Sequence, residues 1–169
     1  HVALVVEHRP VLGVVALPSR QRVLWGAIEN GRSWGGLIGA GRAVRGYTPL
    51  PEVPRIAVSR SHTPTWMPGF AAEIGATQVH SGSVGNKVGM VLLGEADIYA
   101  HRKGLKEWDT CAPEIVARAL GWSVSRLGGG DLLYNQPDPR IDEFLVCRPA
   151  QRERVLTALR NAGVVTATP

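Results

Sequence analysis

The 169 residues are 44% apolar and 20% charged, enough for one substantial core, or two smaller ones, without staples. No run approaches the ~20 apolar residues of a membrane span, no charged-then-apolar leader precedes a small-residue cleavage site, and Cys111 and Cys147 fit neither a metal spacing nor a secreted framework; the expectation is a cytoplasmic protein with two buried thiols. The net charge of +5 comes from 16 Arg and 3 Lys against 14 acids, spread without a like-charge block or interleaved aromatics, which suits a small anion and argues against nucleic acid.

The chain opens with His1 and runs directly into Val2-Ala3-Leu4-Val5-Val6, a start that reads as the remainder of a longer protein. Strands are expected at residues 1–6, 11–17 and 23–28, joined by turns through Glu7-His8-Arg9-Pro10 and Pro18-Ser19, as three antiparallel strands of one sheet. Residues 31–54 carry Gly35, Gly36, Gly39, Gly41 and Gly46 with Pro49, Pro51 and Pro54, and read as a loop and a boundary. This divides the chain into a partial sheet domain, residues 1–54, and an α/β domain, residues 55–169. In the second unit short strands alternate with helical patterns, the signature of a layered α/β arrangement. The spacing predicts strands at 55–59, 77–79, 96–100, 123–126 and 144–147, and helices at 65–74, 83–93, 109–120 and 150–162.

Three stretches carry chemistry. Asp109 stands at the start of a helix whose buried stripe is Ala112, Ile115, Val116, Ala119 and Leu120. Its carboxylate fits an ordinary cap as well as a metal ligand beside a phosphate. Ser81-Gly82-Ser83-Val84-Gly85-Asn86-Lys87 places hydroxyls, glycines and one ammonium at a strand-to-helix junction, where free N–H groups hold phosphates; it is not a P-loop, and taken alone it reads first as a plain serine-capped helix. Ser59-Arg60-Ser61-His62 follows the strand at 55–59, where α/β sheets present side chains to ligands; an exposed polar loop accounts for it as well. No Gly-x-Ser-x-Gly elbow or His-Glu-x-x-His occurs, so phosphate binding with help from a cation suits the set better than covalent catalysis.

Read together, His80-Ser81-Gly82-Ser83-Val84-Gly85-Asn86-Lys87, Gly94-Glu95-Ala96-Asp97-Ile98-Tyr99 and Glu107-Trp108-Asp109-Thr110-Cys111-Ala112-Pro113 resemble the inositol monophosphatase superfamily. Within it the likeness is closest to the 3'(2'),5'-bisphosphate nucleotidases of the CysQ type. It extends through Leu132-Leu133-Tyr134-Asn135 and Leu145-Val146-Cys147-Arg148, and to Pro10–Val15 at the start, covering nearly the whole chain. The resemblance implies a layered α/β sugar-phosphatase fold and a magnesium-dependent removal of the 3'-phosphate of adenosine 3',5'-bisphosphate to give AMP, a reaction linked to sulfate assimilation. By motif, Asp109 matches the residue that binds a metal and the labile phosphate. Ser61 and His62 match the pair lying against the nucleotide, Ser83 and Lys87 the holders of the non-reacting phosphate, and His101 a basic position near the same ligand.

The sequence also departs from that pattern. The family's Asp-Pro-Leu/Ile-Asp-Gly-Thr motif, which supplies most metal ligands, is absent, as is an earlier glutamate. Gly128-Gly129 stands where Asp-Gly is usual, and Leu120-Gly121-Trp122 follows Ala119 where Gly-Gly is usual. One carboxylate does not satisfy magnesium ions that each take octahedral oxygen, so the isolated chain is expected to be inactive. A complementing N-terminal segment or a homodimer is the expected partner, since strand 2–6 otherwise leaves an apolar face and an edge uncovered. Two other readings compete: an inositol monophosphatase or fructose-1,6-bisphosphatase, and a half-domain that binds nucleotide or pairs without catalysis.

Overall fold

The computed structural model describes residues 1–61 and 63–165; the expected nucleotide contact His62 and residues 166–169 lie outside the described residues. Four strands, β1 (Val2–Val6), β2 (Arg9–Leu17), β3 (Arg22–Glu29) and β4 (Arg32–Ile38), form an antiparallel sheet in sequential order. Glu7 and His8 both adopt positive φ in the two-residue turn between β1 and β2, the geometry whose twist matches a hairpin.

The strand β4 corrects the first part of the expected loop at 31–54, while residues 39–54 form no helix or strand. Its glycines, which break the apolar alternation, mark close packing instead of a turn. Gly36 pairs with Trp25 and Gly35 with Gly26, and a Cβ on Gly36 would press on the Trp25 indole at 3.3 Å. Glycine inside a strand commonly marks such close approach.

A second sheet has the order β6-β5-β7-β9-β8, built from β5 (Arg55–Ser59), β6 (Thr77–Ser81), β7 (Ile98–Lys106), β8 (Ser123–Ser125) and β9 (Arg140–Cys147). The strands β5, β6 and β7 run parallel, while β9 is antiparallel to both β7 and β8. Helices α2 (Val84–Leu92) and α3 (Glu107–Ala119) lie between the two sheets, and α1 (Met67–Ile74) and α4 (Arg152–Asn161) pack on the far side of the second. The layers are therefore sheet, helices, sheet, helices. One apolar cluster joins Val15, Leu17 and Leu24 of the first sheet to Val88, Val91, Ala112 and Val116 of the middle helices and to Tyr99 and Phe144 of the second sheet. Another joins Ile56, Ile98 and Leu145 to Phe70, Ile74, Val155 and Leu159 of the outer helices.

Glycine sets how closely α3 sits on the first sheet. A Cβ on Gly26 would lie 2.8 Å from both the Ala119 Cβ and the Val116 Cα, and the ring of contacts is partly backbone, so the helix itself would have to move. Gly26→Ala should therefore lower stability by about 1–3 kcal/mol, read as a shift of the urea midpoint with an unchanged slope; an unshifted midpoint would mean that α3 is free to slide. On the opposite face Val2, Leu4, Val6, Leu12, Trp34 and Ile38 remain exposed among the described residues.

Candidate active site

The parallel register of the second sheet brings three chain reversals to one edge. Ser59 pairs with Ser81 at the ends of β5 and β6, and the Arg60 N–H donates to the Ser81 carbonyl at 3.2 Å, so Arg60-Ser61 lies beside Gly82-Ser83. The strand β7 flanks β5 on the other side, with Ala57 opposite Tyr99, and carries His101 past the same edge. It runs directly into α3, which begins at Glu107, two residues before the expected start.

Asp109 is thus the third residue of α3, and its Oδ2 accepts the Lys106 N–H at 2.9 Å. This capping contact holds the carboxylate against the helix start; Oδ1 accepts no hydrogen bond among the described residues. Ser83 occupies the cap position of α2 but its side chain does not cap the helix, which corrects the serine-capped reading. Its φ of 56° with ψ of 143° is a strained conformation for a residue with a Cβ, and it leaves the hydroxyl to the cavity. That cavity, about 360 Å³, is lined by Ser83, Arg60, Gly82, Asn86, Ser19 and His1 among others.

Lys87 lies one turn on and is 4% exposed. Its Nζ sits 5.2 Å from the centroid of the Tyr99 ring and has no carboxylate partner among the described residues. Burial holds its pKa below the ordinary lysine value. Tyr99 in turn contacts His101, whose pKa is lowered as well, chiefly by burial. Lys87 and Asp109 both lie close enough to act on the His101 charge, Lys87 against protonation and Asp109 for it.

Lys87, His101 and Asp109 are therefore gathered into one corner, and Ser83 stands at the adjoining cavity. Ser61 is exposed, and no hydrogen bond among the described residues joins it to that corner. Two participants escaped the sequence reading. Tyr99 shares a strand face with His101, two residues apart, a period that strand alternation makes readable. Arg60 stands inside the Ser59-Arg60-Ser61-His62 motif, and its guanidinium rests over Gly82, a contact no spacing rule reveals.

No group of three or more His, Cys, Asp or Glu among the described residues is arranged to hold a metal. The acid nearest to Asp109 in sequence, Glu107, has both oxygens engaged by the Asn135 and Gln136 N–H groups at 2.9 Å. Glu114 is buried under α3, where it accepts from the Tyr134 hydroxyl at 2.6 Å and from Arg118 at 2.7 Å; burial outweighs these partners and raises its pKa. Both cysteines are buried, and burial pushes each thiol up to about 12, so they are inert as nucleophiles. Asp109 alone does not build a magnesium site from these residues.

A model of the inositol monophosphatase family matches residues 1–163. A Mycobacterium bovis protein named 3'-phosphoadenosine 5'-phosphate phosphatase is 34% identical over 148 residues, which are 88% of this chain and 51% of that protein. The human Golgi-resident adenosine 3',5'-bisphosphate 3'-phosphatase is 30% identical over 151 residues, 81% of this chain and 38% of that protein. Among solved structures, CysQ from Bacteroides thetaiotaomicron superposes with a TM-score of 0.69 at 26% identity, covering 86% of this chain and 60% of that one. An inositol monophosphatase from Zymomonas mobilis superposes with a TM-score of 0.72 at 20% identity, covering 94% and 60%, a likeness of fold. The chain spans about half or less of the length of the mycobacterial and human relatives.

Proposed function

This chain belongs to the inositol monophosphatase family, and from that membership we propose that it contributes the phosphate-holding part of a magnesium-dependent phosphatase that takes the 3'-phosphate from adenosine 3',5'-bisphosphate to leave AMP, in the cytoplasm and in connection with sulfate assimilation. The observation that carries the proposal is the convergence on His101, at one sheet edge, of a buried ammonium with no carboxylate partner among the described residues, Lys87, and of the capped carboxylate Asp109. The names of the mycobacterial and Golgi relatives and the CysQ likeness support the nucleotide substrate over a sugar phosphate. No helix among the described residues is long and apolar enough to cross a membrane.

The roles follow from position. Lys87 supplies the cation that holds a phosphate group, in a site where burial strengthens the attraction. The Ser83 hydroxyl and the first N–H groups of α2 add donors at a helix end that favours anions. Ser61, in the exposed loop after β5, contacts the nucleotide, and His101 lies close to the bound phosphate. Asp109 offers one free oxygen as a metal and phosphate contact. Magnesium takes near-octahedral oxygen ligands, and the described residues provide too few, so further carboxylates must come from a complementing segment or a second copy of the chain.

On this reading the 169 residues alone bind adenosine 3',5'-bisphosphate but do not turn it over. Calorimetric titration should show binding to this bisphosphate at least tenfold tighter than to inositol monophosphate or fructose 1,6-bisphosphate, and phosphate release with added magnesium should stay at background. Equal affinities would move the substrate to the sugar phosphates, and clear turnover by the isolated chain would overturn the shared site. The lack of a metal-holding cluster among the described residues also favours a second reading, a non-catalytic half-domain that binds nucleotide. Addition of a polypeptide carrying the missing carboxylates separates the two, because only the first gains activity.

A further inference from the structure

Tyr99 is among the largest fully buried side chains in the chain, yet its polar end lies at the site edge. Its ring meets Phe144 edge-on in the core, centroids 6.1 Å apart. Its hydroxyl lies 3.3 Å from His101 Nδ1. The other ring nitrogen of His101, Nε2, lies 2.8 Å from the Lys103 carbonyl. A carbonyl oxygen only accepts, so Nε2 must carry the proton. In the neutral ring Nδ1 is then a lone pair, and the Tyr99 hydroxyl must be the donor to it.

The backbone is shaped for this contact. The pairing of β7 with β9 shifts register between Arg102 and Leu105, and Lys103 and Gly104 both take positive φ, 65° and 87°. Such a bulge redirects backbone groups beside a site, and here it turns the Lys103 carbonyl onto the imidazole. On the face of the same tyrosine ring rests the Lys87 ammonium, within cation–π range. Burial keeps the phenol protonated, far above its ordinary range, so it remains a donor at neutral pH.

We infer that Tyr99 is a positioning residue for the anion site: its ring seats Lys87, and its hydroxyl, with the Lys103 carbonyl, fixes His101 as the neutral imidazole protonated at Nε2. Of the two basic side chains that meet at Tyr99, a bound phosphate therefore finds a cation in Lys87 and no unengaged nitrogen in His101. The inference rests on reading this edge as a phosphate site, but the state of the imidazole is measurable without any ligand.

Two-bond proton–nitrogen NMR spectra of the chain, wild type and Tyr99→Phe, provide the test. In the wild type His101 should show a protonated-type Nε2 and a lone-pair-type Nδ1. In Y99F the Nδ1 signal should move toward that of an unbonded lone pair while Nε2 stays protonated, because phenylalanine keeps the ring and the packing. Affinity for adenosine 3',5'-bisphosphate should fall about fivefold, the effect of one neutral hydrogen bond. A cationic ring, a proton on Nδ1, or an unmoved Nδ1 signal in Y99F would overturn the inference. Failure of the wild type to bind the bisphosphate would count against the phosphatase reading, and the nitrogen signals decide the role of Tyr99 whichever way that binding falls.

Discussion

Lys87→Met should make the chain more stable while weakening its hold on adenosine 3',5'-bisphosphate by about 10- to 100-fold, the effect of losing a charge-assisted contact worth roughly 1.5–3 kcal/mol. The two changes have one cause. The ammonium is buried over the Tyr99 ring with no carboxylate partner among the described residues, and burial depresses its pKa, so the surroundings disfavour its charge. Methionine has a similar length and no charge, so it removes the desolvation penalty and the phosphate contact together.

The sign of the pH dependence is specific. With the folded-state pKa below 10.5, the unfolded chain binds more protons between the two values, so wild-type stability should rise with pH through that alkaline interval. This component should vanish in K87M. Thermal unfolding across alkaline pH, with calorimetric titration of the bisphosphate at neutral pH, checks both halves. A variant that is destabilised and binds normally would place Lys87 in a purely structural role.

Asp97→Ala carries the second large effect, a loss of about 3–5 kcal/mol of stability, the range for breaking a buried ion pair by removing one partner. Asp97 is fully buried. Its carboxylate accepts from the Arg55 backbone N–H and Nε, each at 2.9 Å, and from Arg148 Nη1 at 2.8 Å. Arg148 lies over the Trp122 ring with its guanidinium carbon 5.1 Å from the centroid, and its Nε donates to the Thr48 hydroxyl at 3.0 Å. Trp122 then donates to the Val44 carbonyl at 3.0 Å. One carboxylate thereby fastens the segment leaving the first sheet to β5 and to the residue after β9. Alanine would leave the buried Arg148 guanidinium uncompensated.

Burial alone would raise the Asp97 pKa, but the hydrogen bonds from Arg55 and Arg148 outweigh it and hold the carboxyl below the usual aspartate value. A depressed folded-state pKa gives stability that is full above the unfolded value, about 3.9, and is lost as pH falls through the folded one. The difference between wild type and D97A should therefore narrow in acid below about pH 4. Urea unfolding at pH 7 and in acid measures this, and a difference under about 1 kcal/mol at pH 7 would show that the cluster behaves like a surface pair.

How much was legible depended on how local the cause was. The strand at 55–59 matches β5, since Ile56, Ala57 and Val58 form a short apolar run between a proline and a polar loop. The helix before Leu93 was readable from Val84, Val88, Val91 and Leu92 at helical spacing. The strand β4 was not, because Gly35 and Gly36 owe their place to Trp25 and to α3, neighbours distant in sequence. Ser83 looked like an ordinary cap because residue type does not reveal a positive φ.

The sequence by itself determined the residue types that chemistry at this edge requires, their order along the chain, the family, and the lack of an Asp-Pro-Leu/Ile-Asp-Gly-Thr motif in these residues. Tertiary structure alone decided that Lys87 is buried without a carboxylate among the described residues, that both nitrogens of His101 are engaged, and that Asp97 clamps two arginines. The physical reason is range. Periodicity and capping act within a few residues, whereas desolvation, charge pairing and tautomer choice are set by whichever groups the fold brings within a few ångströms.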